Sequence, residues 1–204
     1  LYGYRFQAGV TLTTKLSTFA QVRALEGADA IAFSAALLQR MVPNYQLFCE
    51  LTEFAEPDTL SKCLDLIWES LCSPKSKINF ATQLEKVEEA TPDVSDYDSF
   101  GVYPALDAAI AMSSAINLIM KVDPHGAVVV SKLSQGSVEA YLLATGEATD
   151  EDVKTHPLMQ FEIATQQELL DAVTSKAPMT QKVSTLKSIA ASEGITNIGL
   201  EINA

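Results

Sequence analysis

The sequence predicts an all-α protein, a single-domain bundle of roughly seven to nine helices, with a short terminal β pairing as its sole strand character. Three observations carry that expectation. Apolar residues recur at i, i+3, i+4 and i+7 along most of the chain, and prolines stand where the periodic segments begin. Hydrophobic residues make up 48% of the 204 positions and charged residues 20%, a folded rather than a disordered composition.

The elements follow in chain order. Leu16, Phe19, Val22 and Leu25 mark a first helix over 16–25, which Gly27 breaks. Residues 29–42 are apolar almost all round, so this helix should be buried on most sides. Pro43 is expected to start the next helix, carrying Tyr45, Phe48, Cys49 and Leu51, and Pro57 another. Residues 57–72 divide into an apolar stripe of Leu60, Cys63, Leu64, Ile67 and Leu71 and a polar one of Asp58, Lys62, Asp65 and Glu69. Over 79–90, Asn79 reads as an N-cap, with Phe80, Leu84 and Val87 facing inward. Pro92 to Ser99 is a polar, acidic connection.

Pro104 opens an Ala-rich helix to Lys121 whose small residues let neighbours approach closely. Asp123-Pro124-His125-Gly126 is a turn. Val128-Val129-Val130 has strand propensity, but Val130, Leu133, Tyr141 and Leu142 extend beyond strand length and favour a helix over 127–145. Thr149 to Asp152 reads as an acidic helix start. A helix over 157–176 places Met159, Ile163, Leu170 and Val173 on one face, and Pro178 opens a last helix closed by Gly194. Ile198, Leu200 and Ile202 alternate like a strand, as do Tyr2, Tyr4 and Phe6, which suggests the terminal pairing. The expected organisation is an N-terminal extension over 1–15 and one helical domain over 16–204.

Charge bounds the function. The net charge is −12, from 26 acids against 14 bases, which argues against nucleic acid and anionic membrane as partners. Residues 50–107 hold half of the acids. Cys49, Cys63 and Cys72 are an odd number without Cys-x-x-Cys spacing, which fits a reducing cytoplasm better than a disulfide scaffold or cysteine zinc site. The first ten residues lack the pattern of a signal peptide. The apolar run from Gly101 to Met120 approaches membrane-span length, but Pro104, Asp107, Ser113, Ser114 and Asn117 make a buried core helix the better reading.

Certain residues also carry a family resemblance. Arg40-Met41-Val42-Pro43-Asn44-Tyr45 with Phe48-Cys49, then Leu64-Asp65-Leu66-Ile67-Trp68-Glu69, Asn79-Phe80, Gln83-Leu84-Glu85, Glu88-Glu89 and Gly101-Val102-Tyr103-Pro104-Ala105 resemble the bacterial YjaG family, whose function is unknown. Val130-Ser131-Lys132 and Asn197-Ile198-Gly199 continue the likeness. It covers roughly 24–202, is dense to about 110, and leaves the stretch to Thr14 outside. The resemblance implies an all-α fold and supplies no activity, ligand or catalytic residue. Genome context links such proteins to signalling by association alone.

The motifs favour structure over chemistry. Asp96, Asp98, Gly101 and Asp107 have the spacing of a calcium loop. Phe100 fills a ligand position and Pro104 disturbs the loop, so an acidic turn into a helix is the preferred reading. Glu85, Glu88 and Glu89 read as a solvated face, with a metal or general acid/base pair as the alternative. The residues three before His125 and His156 are Val122 and Val153, so the Glu-x-x-His pairs of a di-iron bundle are missing. Both histidines adjoin prolines and should lie exposed in turns. Ser131, Ser134 and Ser137 read as a packing seam rather than nucleophiles, and no nucleophile elbow, P-loop or dinucleotide fingerprint occurs.

Trp68 with Tyr45, Tyr97 and Tyr103 could line a groove, although Trp68 also flanks a core stripe. Arg40, Asn44, Glu69, Asn79 and Gln83 could lock helix ends as a buried polar network or recognise a ligand, and the network is favoured. The expected function is therefore a non-enzymatic interaction or regulatory protein, without catalytic set, metal or cofactor. Candidate ligand- or partner-binding residues are Arg40, Asn44, Tyr45, Trp68, Glu69, Asn79, Gln83, Glu85, Glu88, Tyr103 and Asp107. The expected partner is an unidentified protein, with homo-oligomerisation open. The rival reading is an enzyme or small-ligand binder with a polar pocket among the helices of 40–107.

Overall fold

The computed structural model describes residues 16–202. Among them are eight α-helices and no strand, within the expected number of helices. Helix α1 (Thr18–Arg23) is capped by Ser17, whose Oγ accepts from the amide of Ala20. Helix α2 (Gly27–Thr52) is the axis of the fold, and α3 (Thr59–Cys72), α5 (Val102–Ile119), α6 (Gly126–Thr145), α7 (Pro157–Val173) and α8 (Met179–Ala190) all pack on it. Helix α4 (Phe80–Glu89) leans on α5 and α3, and Asn79 caps it by accepting from the amide of Thr82.

The main correction concerns Pro43. The expected helix boundary there does not exist, because α2 continues through the proline for 26 residues. A proline inside a helix removes one rung of the ladder and costs about 3 kcal/mol. Burial overrides that preference: Arg40, Met41, Val42, Asn44 and Tyr45 all lie inside, held by neighbours on several sides.

Small residues set the spacing of the central layer. Ala30, Ala32, Ala35 and Ala36 of α2 and Ala105, Ala108, Ala109, Ala111 and Ala115 of α5 are buried. Helix α5 is long and apolar enough to cross a membrane by length and composition, and its buried residues pack against α2, α4 and α6. The start of α6 is closer still. A Cβ at Gly126 would stand 2.5 Å from the carbonyl oxygen of Ser114 and 2.9 Å from Cβ of Leu118, so only glycine fits there.

Three other expectations change. The acidic stretch 149–152 leads into a single 3-10 turn, Val153–Thr155, rather than an extended helix. The last helix stops at Ala190, with a separate 3-10 turn at Ser192–Gly194. His156 is half-buried rather than exposed, and its Nδ1 caps α7 by accepting from the amide of Leu158. His125 is exposed before α6.

The tail folds on itself. Ile195 and Glu201 form an isolated antiparallel bridge, and Gly199 supplies the positive φ of the turn between them. Ile198 joins Val138, Leu142, Val153 and Met159 in a second apolar cluster beside the main core. Tyr2, Tyr4 and Phe6, the other half of the expected pairing, lie outside the described residues.

Candidate functional site

The most concentrated polar chemistry is internal. In α6 the spacing of three puts Ser131, Ser134 and Ser137 on one buried face. In α7, Glu162 and Gln166 are one turn apart and also buried. Arg40 reaches them from α2 and Asn197 from the tail, so three helices and a loop meet in one hydrogen-bonded cluster.

Glu162 is its centre. Arg40 Nη1 donates to Glu162 Oε2 at 2.5 Å, while Ser134 Oγ and Gln166 Nε2 donate to Oε1 at 2.5 and 2.9 Å. The side chains of Arg40 and Glu162 are only 2% and 0% exposed, so each charge depends on the other for compensation. Ser131 Oγ donates to Gln166 Oε1 at 2.6 Å, and Gln166 Nε2 returns a bond to the Ser131 carbonyl at 3.2 Å. Asn197 Nδ2 donates to the Ser134 carbonyl, and its Oδ1 accepts from Asn44 Nδ2 at 2.8 Å. Its amide donates to the Arg40 carbonyl at 3.1 Å. Among the described residues, two buried side-chain atoms, Arg40 Nη2 and Asn44 Oδ1, have no hydrogen-bond partner.

The serine row is thus a packing seam that also donates. Ser137 Oγ donates to Asp107 Oδ2 at 2.6 Å, tying α6 to α5. Burial pushes the Asp107 carboxyl above its ordinary range, and the Ser137 bond offsets part of that rise.

Two cavities lie beside the tail and share Tyr141 and Ile198 as a wall. The smaller, about 150 Å³, is lined by Leu47, Leu51, Phe100, Pro104 and Leu200, with Asn44 also on its surface. The larger, about 650 Å³, is bordered by Leu158, Phe161, His156, Glu147 and Glu193. Phe161 stands between this cavity and the cluster, with the Arg40 guanidinium 5.6 Å from its ring centroid. His156 Nε2 is 3.9 Å from Glu147 Oε2.

The residues singled out in the sequence do not meet in one place. Arg40 and Asn44 join the internal cluster, and Asp107 bonds Ser137. Tyr45 is buried and donates to the Ala90 carbonyl at 2.7 Å, with its phenol pushed far up by burial. Trp68 is buried and donates from Nε1 to Gln39 Oε1 at 3.0 Å, while Lys187 Nζ lies 5.2 Å from its ring centroid. Glu69, Glu85 and Glu88 are exposed on α3 and α4, Asn79 is an exposed cap, and Gln83 is half-buried. Tyr103 is exposed, its ring 5.7 Å from that of Phe100.

The calcium-like spacing resolves into a 3-10 turn at Val94–Asp96 followed by α5, and Asp107 sits within that helix. No group of three or more His, Cys, Asp or Glu among the described residues could hold a metal. Sequence reasoning missed Glu162, Gln166 and Asn197. The available signal was spacing: Met159, Glu162, Gln166, Leu169 and Val173 form one buried stripe, with two polar residues inside an apolar pattern.

The chain is similar in sequence to known proteins and in architecture to a solved structure. An uncharacterized protein YjaG from Salmonella typhimurium is 43% identical over 141 residues, 68% of this chain and 72% of its own. An uncharacterized protein from Haemophilus influenzae is 38% identical over 190 residues, 88% of this chain and 94% of its own. The crystal structure of a DUF416 family protein from Shewanella baltica superposes with a TM-score of 0.84 at 35% identity, over 92% of this chain and all of that one. The YjaG resemblance seen around Arg40–Tyr45 and Leu64–Glu69 is therefore a true relationship. Residues 17–201 match the family described as "Protein of unknown function (DUF416)", and the chain belongs to that family.

Proposed function

We propose that this protein works in the cytoplasm by binding another protein and catalyses no reaction of its own. The observation that carries the reading is a division of the polar residues. Those best suited to chemistry, Arg40, Glu162, Gln166, Asn197 and the α6 serines, face each other inside and are bonded together. The acids of 50–107, apart from Asp58 and Asp107, are exposed. Such a surface steers a basic partner and opposes nucleic acid.

The alternative of a polar pocket among 40–107 loses support because Glu69, Asn79 and Asp107 point to three different surroundings. Co-purification at low and high salt tests the docking reading. A specific protein should be retained at low salt and lost both at high salt and with Glu85→Lys, Glu88→Lys and Glu89→Lys combined. Retention by that triple variant removes the α4 acidic face from the account. Failure to retain any protein specifically overturns the reading.

A further inference from the structure

The two cavities flanking the tail differ in a way that specifies what could occupy them together. The smaller, about 150 Å³, has walls almost wholly of carbon, and its volume suits one ring-sized side chain. Leu47 and Leu51, one helical turn apart on its lining, are 42% and 76% exposed, so they extend the apolar surface of the cavity outward together. Asn44 belongs to the same lining, is 5% exposed, and among the described residues its side-chain oxygen has no donor.

The larger cavity adjoins it across Tyr141 and Ile198 and carries carboxylates, Glu147 and Glu193, beside the apolar surfaces of Phe161 and Leu158. Glu193 holds a left-handed backbone (φ 64°) that non-glycine residues seldom adopt, within the 3-10 turn Ser192–Gly194 just before the tail. The surroundings are strongly acidic. Residues 139–161 and 191–202 contain Glu139, Glu147, Asp150, Glu151, Asp152, Glu193 and Glu201 against Lys154 as their one lysine or arginine.

We propose that this paired groove is the docking site for a peptide segment of the partner that carries an apolar side chain with lysine or arginine close behind it. The apolar side chain enters the smaller cavity between Leu47, Leu51 and Phe100. The cation takes the larger one, where Glu147 and Glu193 attract it and the face of Tyr141 borders its path. An acidic peptide is repelled by the rim, and a free cation leaves the apolar cavity unfilled. This inference rests on the reading above that the protein binds another protein, and adds an anchoring groove beside the tail to the acidic surface of 50–107.

Titrating the isotope-labelled full chain with capped Phe-Lys-Lys, Ala-Lys-Lys and Phe-Glu-Glu peptides, followed by amide chemical shifts, tests it. Phe-Lys-Lys should move the signals of Gly101, Tyr141, Ile198 and Gly199, and each control peptide should bind about tenfold more weakly. Leu51→Ser should erase the preference for Phe over Ala, and Glu147→Gln with Glu193→Gln the preference for Lys over Glu, with thermal midpoints unchanged. Equal binding of all three peptides, shifts confined to α3 and α4, or no shifts at all would overturn the groove. A natural partner that binds these variants as well as the parent protein sinks the groove and leaves the docking reading standing. Absence of any specific partner sinks both.

Discussion

Arg40 and Glu162 lie 122 positions apart in the chain, yet the guanidinium nitrogen and carboxylate oxygen stand 2.5 Å apart in the interior. The pair joins α2 to α7 beneath Phe161, and Ser134 and Gln166 occupy the second oxygen of the carboxylate. Such a pair adds little stability over a well-packed apolar replacement, but half of it is worse than none. Arg40→Met or Glu162→Leu alone should therefore destabilise the fold by about 3–5 kcal/mol. The double variant should recover much of that loss. Urea unfolding of the three variants measures this directly, and additive losses would show that the two charges are not coupled.

Asn197 holds the tail by three polar links, to Asn44, to the Ser134 carbonyl and, through its amide, to the Arg40 carbonyl. Asn197→Ala removes the side-chain links and strands the Nδ2 donor of Asn44, for a loss of about 1–3 kcal/mol. Amide exchange across 195–202 should quicken far more than in α3 or α8. Uniform quickening over all the helices would mean that the tail is not separately anchored.

Two glycines of α6 should respond to alanine with opposite signs. At Gly126 a methyl group meets the backbone oxygen of Ser114, so Gly126→Ala should cost about 1–3 kcal/mol. At Gly136 nothing lies within 4 Å, and the residue is exposed in mid-helix. Gly136→Ala should stabilise by about 1 kcal/mol through helix propensity. Thermal midpoints of the two variants should straddle that of the parent.

The Asp107 carboxyl is raised by burial, so the folded protein holds that proton to higher pH than the unfolded chain does. Stability must then fall as pH rises from the ordinary carboxylate range through the raised value. Asp107→Asn keeps an acceptor for Ser137 and removes the buried charge. It should be more stable than the parent near neutral pH, and the advantage should vanish as the medium is acidified below the ordinary carboxylate range. An advantage independent of pH would assign the effect to packing.

The helical layout was legible because stripes such as Leu60–Leu64–Ile67–Leu71 and the cap at Asn79 are local signals, and local signals survive folding. Pro43 reads locally as a helix start, because the contacts that carry α2 through it come from helices remote in sequence. The same applies to the polar cluster. Arg40 and Asn44 could be singled out, but their partners Glu162 and Asn197 follow from tertiary pairing that no spacing within 40–107 reveals. The cavities beside the tail depend on the turn at Gly199, which sequence periodicity read as a plain extended segment.

Pro43 also bears on the order in which the molecule can be completed. A proline has no amide with which to close its own rung of α2, and the neighbouring Arg40 carbonyl and Asn44 side chain are engaged by Asn197. Asn44 leaves the ribosome 153 residues ahead of that partner. Pro43 leaves the middle of α2 one rung short at all times, and until Asn197 is made that stretch also lacks its polar cover, so a nascent chain stalled before the tail should remain open to proteases at α2. Completion of folding is thereby deferred to the arrival of a short segment synthesised long after the helix it secures.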